Sequence, residues 1–159
     1  MSRRVVTVSV SSDLAARRVP FIYAGYARSC GAMYLGETRG SNGILGRIAQ
    51  HISETSSNTF RQRVCAVLDC DEVPLDGVEF VAVALSGYRG FAADSPEYRR
   101  AVEYNVQLRL LNMLAASRLP VTLVSRVAGN GYTSKPVVVR EADQVATLLL
   151  GSLTTVLAP

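Results

Sequence analysis

Two β-rich runs, residues 19–27 and 32–37, are separated only by Arg28-Ser29-Cys30-Gly31. So short a connection leaves the chain little choice but an antiparallel hairpin. Val19, Phe21, Ile22, Tyr23 and Tyr26 on one side, and Met33, Tyr34 and Leu35 on the other, are residue types that suit a pleated surface. A hairpin cannot bury both faces by itself, so the rest of the chain must supply the covering layers.

The segments that follow are suited to that task. After the turn residues Gly40-Ser41-Asn42-Gly43, the apolar residues Ile44, Leu45, Ile48 and Ile52 recur at helical spacing, which predicts an amphipathic helix to about residue 53. Arg47 and His51, four positions apart, project from one face of it beside the apolar stripe. A second short helix is predicted over 59–68. An acidic loop containing Pro74 leads to an apolar strand over 78–85, expected to be central in the sheet. Ser95-Pro96-Glu97 combines a cap, a first-turn proline and a carboxylate at a helix N-terminus. The helix they open should run to about residue 117, with Val102, Val106, Leu110 and Met113 or Leu114 inward and Glu103 at the edge of the buried face. Strands are predicted over 121–126 and 136–140, and a last helix over 141–150. At the other end, the alternation over 5–10 predicts a further strand and 13–18 a connection. The expected class is α/β (α+β): a small mixed or antiparallel sheet flanked by helices, in one domain of 159 residues with a core of about 19–126 and terminal extensions 1–18 and 127–159.

Composition narrows the function classes. No apolar run approaches the roughly 18 to 20 residues that cross a bilayer, so no membrane association is expected. The first apolar run is short and lacks a small-residue cleavage site, which points to a cytoplasmic protein. The three cysteines, Cys30, Cys65 and Cys70, are odd in number, contain no CxxC pair and have only His51 as a histidine companion, which argues against both a disulfide framework and a zinc site. The net charge is +4, carried almost wholly by arginine, with Lys135 the sole lysine. Planar guanidinium forks suit phosphate contact, although a GC-rich genome produces the same bias.

Phe21-Ile22-Tyr23 and Tyr34-Leu35-Gly36 each say little alone. Taken with the helix bearing Arg47 and His51 and the later helix bearing Glu103, their order and spacing resemble the GIY-YIG nuclease family across roughly residues 19–126. Phe21 stands where the family's first glycine usually lies, Leu35 replaces isoleucine, and a glycine-rich insertion precedes Arg47. The family's terminal asparagine corresponds to no obvious position, since Asn112 comes early and Asn130 late.

The resemblance implies an endonuclease hydrolysing phosphodiester bonds of DNA with Mg²⁺ or Mn²⁺. Such a reaction needs an activated water and neutralisation of charge on the phosphate oxygens. It implies Tyr23 as the group that activates water, with Tyr34 orienting it, and Glu103 as the carboxylate for a single hard cation. Arg47 suits the non-bridging phosphate oxygens. His51, whose ordinary pKa near 6.5 leaves it mostly neutral, is a candidate to accept or relay the proton. Glu97 is a second candidate for the metal carboxylate, and Arg99 or Arg100 could instead engage Glu103 as an ordinary helical ion pair. Arg39, Arg61 and Arg63, with Arg47, are candidates for a nucleic-acid track. Gly36 should let backbone approach the tyrosine pair. A homodimer would suit double-strand cleavage. Two rival readings are a non-cleaving nucleic-acid-binding module, and a structural or oligomerisation protein in which the spacing is coincidental.

Overall fold

The computed structural model describes residues 10–53, 59–85, 95–117 and 120–157, with side chains through residue 153. The hairpin forms as its sequence predicts: β1 (Phe21–Ala27) pairs antiparallel with β2 (Ala32–Thr38), Tyr23 lying opposite Gly36. The connection is one turn of 3-10 helix closed by Gly31 in the left-handed region. α1 (Gly43–Ile52) and α2 (Thr59–Leu68) follow, then β3 (Val78–Ala84), α3 (Pro96–Ser117), β4 (Thr122–Leu123) and α4 (Pro136–Leu157). The sheet is mixed, four-stranded and ordered β3-β1-β2-β4.

β1 is therefore the central strand, buried along its whole length, whereas β3, expected at the centre, borders one edge among the described residues and is only partly buried. An apolar run alone does not separate these cases, because β3 still packs one face on the core. Alternation along β1 divides the molecule into layers. Ile22, Ala24 and Tyr26, with Met33 and Leu35, join one cluster with Val102, Val106 and Leu110 of α3 and Val138, Ala142 and Leu149 of α4. On the opposite face Phe21 and Tyr23 pack with Ile44 of α1, while Ala27 and Ala32 pack with Phe60 and Val64 of α2. Each fully buried aliphatic or aromatic side chain contributes about 1.5 to 3 kcal/mol. The expected α/β class, a mixed sheet flanked by helices, is what the chain adopts.

Three expectations change. The strand predicted over 136–140 is the start of α4, because Val138, Ala142, Val145 and Leu149 recur at helical spacing and bury against α3 and the sheet. Pro136 at the first helical position and this burial override the strand preference of Val137 and Val139. That helix begins before the predicted Glu141 and ends beyond Leu150, making the expected C-terminal extension a wall of the core. The strand over 121–126 contracts to β4, parallel to β2, although Val124 and Ser125 still bond Met33 and Leu35. The connection at 13–18 contains a 3-10 helix, Asp13–Ala16, capped by Ser12. The strand predicted over 5–10 lies outside the described residues except for Val10. No helix of the described residues is long and apolar enough to cross a membrane.

Candidate active site

α1 starts at Gly43, whose φ of 60° and closeness to the carbonyls of Ala15 and Arg17 exclude a side chain. This start sets the helix's rotation. Ile44 is buried and Ile48 partly so, but Ile52, which apolar periodicity would bury, is 44% exposed, and His51 occupies the inward position with no exposure. Arg47, one turn before His51, consequently faces the same strand residue.

That residue is Tyr23. Its hydroxyl oxygen is 2.6 Å from Nε2 of His51 and accepts from Nε of Arg47 at 3.1 Å. The Phe60 backbone N–H donates to Nδ1 of His51 at 3.2 Å, which leaves the imidazole proton on Nε2. His51 is thus a donor to the phenol oxygen, not the proton acceptor expected of it. Burial, then the Arg47 charge, pushes its pKa down to about 4, so the ring is neutral at pH 7. Tyr34, Phe60 and Phe80 enclose the imidazole, with Phe80 stacked on it at 6.1 Å and Tyr34 edge-on at 5.2 Å.

Arg47 is fixed at all three nitrogens: Nε by Tyr23, Nη1 by Gln50 at 2.9 Å and Nη2 by Thr59 at 3.0 Å. Tyr34 is a further hydrogen-bond neighbour of the same guanidinium. Burial works against the charge of Arg47, but the Tyr23 and Tyr34 hydroxyls more than offset it, and the pKa is raised. Burial and neighbouring Tyr34 push the Tyr23 phenol well above its ordinary value, outweighing Arg47, which lowers it. Tyr23 is a phenol at neutral pH, and its side chain has no exposure. Gly36 makes room for it: a Cβ there would lie 2.4 Å from the Tyr23 oxygen and 2.9 Å from the Tyr34 ring. The predicted close approach is therefore real.

Glu103 approaches from α3. It is 7% exposed and, among the described residues, makes no side-chain hydrogen bond or ion pair. Burial, then the charge of Glu37, pushes its pKa up to about 8, against the opposing effects of Arg100 and Arg47. The ordinary ion pair with Arg99 does not form, because Arg99 bonds Glu37 instead, Nε to Oε2 at 2.5 Å. Glu97 is exposed in the first turn of α3 and accepts from Ser95 at 2.8 Å, so it acts in the helix start. Asn112 is exposed on α3. Asn130 spends its amide on a turn, donating to the Glu97 carbonyl and accepting from the Tyr132 N–H, each at 2.9 Å.

The structure thus gathers Tyr23, Tyr34, Arg47 and His51, with Glu103 near enough to influence Tyr23 electrostatically. The basic candidates are more scattered. Arg39 is half-buried just past β2, Arg61 lies 3.3 Å from Glu72, and Arg63 is exposed on α2. The three cysteines are free, and the described residues contain no group of three or more metal-binding side chains. Sequence reasoning missed Gln50, Thr59, Phe60, Phe80 and Glu37. Only Glu37 carried a signal, as an acidic residue in an otherwise apolar hairpin strand.

Comparison of the chain with protein-family models, with curated proteins and with solved structures finds no match. The roles of these side chains are therefore argued from their own geometry.

Proposed function

We propose that the chain is a GIY-YIG-like endonuclease that hydrolyses phosphodiester bonds of DNA. The observation that carries this reading is the convergence of Arg47 and His51 on the Tyr23 hydroxyl, with Tyr34 against the same imidazole and Glu103 nearby. Each side chain answers a need of the reaction. The Arg47 guanidinium receives a phosphate oxygen, where a fixed cation gains most as charge develops. Arg47 and His51 both donate to the Tyr23 oxygen, so the phenol keeps its own proton as a donor that orients the attacking water. Tyr34 orients that group or the attacking water.

Glu103 suits a hard divalent cation such as Mg²⁺ or Mn²⁺: it is a buried carboxylate without a donor, which a cation would compensate. Bound there, the ion would supply Lewis-acid neutralisation of phosphate charge. A plasmid-nicking assay tests the proposal, with Mg²⁺-dependent nicking expected from the wild type. Nicking that persists in EDTA, or that survives Glu103→Ala, would overturn it.

The complete burial of Tyr23 favours a second reading, a non-cleaving module that holds nucleic acid through Arg47, Arg39, Arg61 and Arg63. Salt-dependent binding of DNA, with no cleavage in either Mg²⁺ or Mn²⁺, is its signature.

A further inference from the structure

We propose that Glu37 is a second carboxylate ligand, holding one divalent cation together with Glu103 where β2 meets α3; the proposal rests on the nuclease reading and deepens it. Alternation places Glu37 on the α3 face of the sheet, in line with Met33 and Leu35, whose side chains pack against that helix. The contact is direct: Arg99 of α3 donates from Nε to Oε2 of Glu37 at 2.5 Å. Glu103 lies one helical turn beyond Arg99 on the same buried face, the two being 7% and 8% exposed respectively. The bridge that ties Glu37 to α3 therefore also brings it toward Glu103.

The charges of Arg100 and Arg47 act on Glu103 without a hydrogen bond to it among the described residues. Arg99 occupies one oxygen of Glu37, while Glu103 has no hydrogen-bond donor among the described residues. A carboxylate more than nine-tenths buried without a donor is expensive to ionise, and the neighbouring carboxylate increases that expense. A cation shared by the two relieves both effects. The Glu37 side chain is 19% exposed, leaving a route for an ion and its water shell. Two carboxylates, with water and phosphate completing the octahedron, form an ordinary Mg²⁺ environment. Arg99 competes with that ion for one oxygen of Glu37.

Titration of the full chain with Mn²⁺ near neutral pH, followed by the electron paramagnetic resonance signal of free aqueous Mn²⁺, tests this. Wild type should bind, Glu103→Gln should abolish binding, and Glu37→Gln should weaken it about tenfold or more. Arg99→Gln removes the bridge but keeps both carboxylates, so it should bind as wild type does or more tightly. Glu37→Gln/Arg99→Gln replaces the ion pair by amides, which covers a Glu37→Gln chain that fails to fold, and should show the same weakening. The proposal is overturned if Glu37→Gln binds like wild type, if Arg99→Gln weakens binding as much as Glu37→Gln, or if wild type binds no Mn²⁺. Nicking measured in parallel separates the two claims. Wild-type nicking with Mn²⁺ binding indifferent to Glu37 removes only the second ligand, and Glu37-dependent binding without cleavage of any nucleic acid removes only the nuclease reading.

Discussion

The backbone N–H of Phe60 donates to Nδ1 of His51, and this bond from α2 decides what a histidine on α1 can do. It puts the proton on Nε2 and makes His51 a neutral donor to Tyr23.

The contribution of His51 to stability should therefore fall as the solution is acidified. The folded pKa of His51, about 4, lies below its ordinary 6.5, so the unfolded chain binds the proton more readily in that interval. Its contribution is complete above pH 6.5 and lost progressively toward pH 4, amounting to about 3 kcal/mol. In a Glu103→Gln background, which removes the opposing titration, urea unfolding across that range should show the loss, and adding His51→Gln should flatten it.

Glu103 works in the opposite direction. Its folded pKa of about 8 exceeds the ordinary carboxylate value, so stability falls as pH rises from about 4.5 to 8. Glu103→Gln removes this ionisation and should be more stable than wild type at pH 8 by about 2 to 4 kcal/mol, while losing nicking. Thermal melts at pH 5 and pH 8 check the sign.

Gly36→Ala should destabilise the chain by about 1 to 3 kcal/mol, because the new methyl would overlap the Tyr23 hydroxyl at the centre of the Arg47 and His51 bonds. Chemical denaturation measures the loss. Nicking at a temperature where the variant remains folded should also fall, since Tyr23 must move to admit the methyl.

Arg47→Lys keeps the charge but cannot bond Tyr23, Gln50 and Thr59 together. Nicking should drop about a hundredfold or more, as expected when an oriented donor to developing charge is removed. DNA affinity at low salt should change much less, and filter binding alongside nicking separates the two.

Sequence made local features legible and left long-range pairings hidden. The hairpin, α1, α2 and α3 follow from turn residues, caps and apolar periods, all of which operate within a few residues. The spacing of Tyr23, Tyr34, Arg47 and His51 singled out side chains that lie together in the fold, whereas Glu103 acts on Tyr23 only through its charge. The edge position of β3 depends on which strand β1 accepts as its second neighbour, a choice that an apolar run does not encode. Val137 and Val139 read as a strand until α3 and the sheet offer a surface for α4. Arg99 meets Glu37 across 62 positions, and Phe60 reaches His51 with a backbone group that has no side-chain signature.

Tyr23 lies in the middle strand, hydrogen-bonded through β1 to both neighbours, whereas Arg47 and His51 ride on a ten-residue helix too short to be stable alone. Backbone amides of β1 should therefore exchange more slowly than those of α1, whose opening would withdraw both donors from the phenol. An anion that binds Arg47 should then slow exchange in α1 and leave exchange in β1 unchanged, because only the packed helix presents both donors to Tyr23.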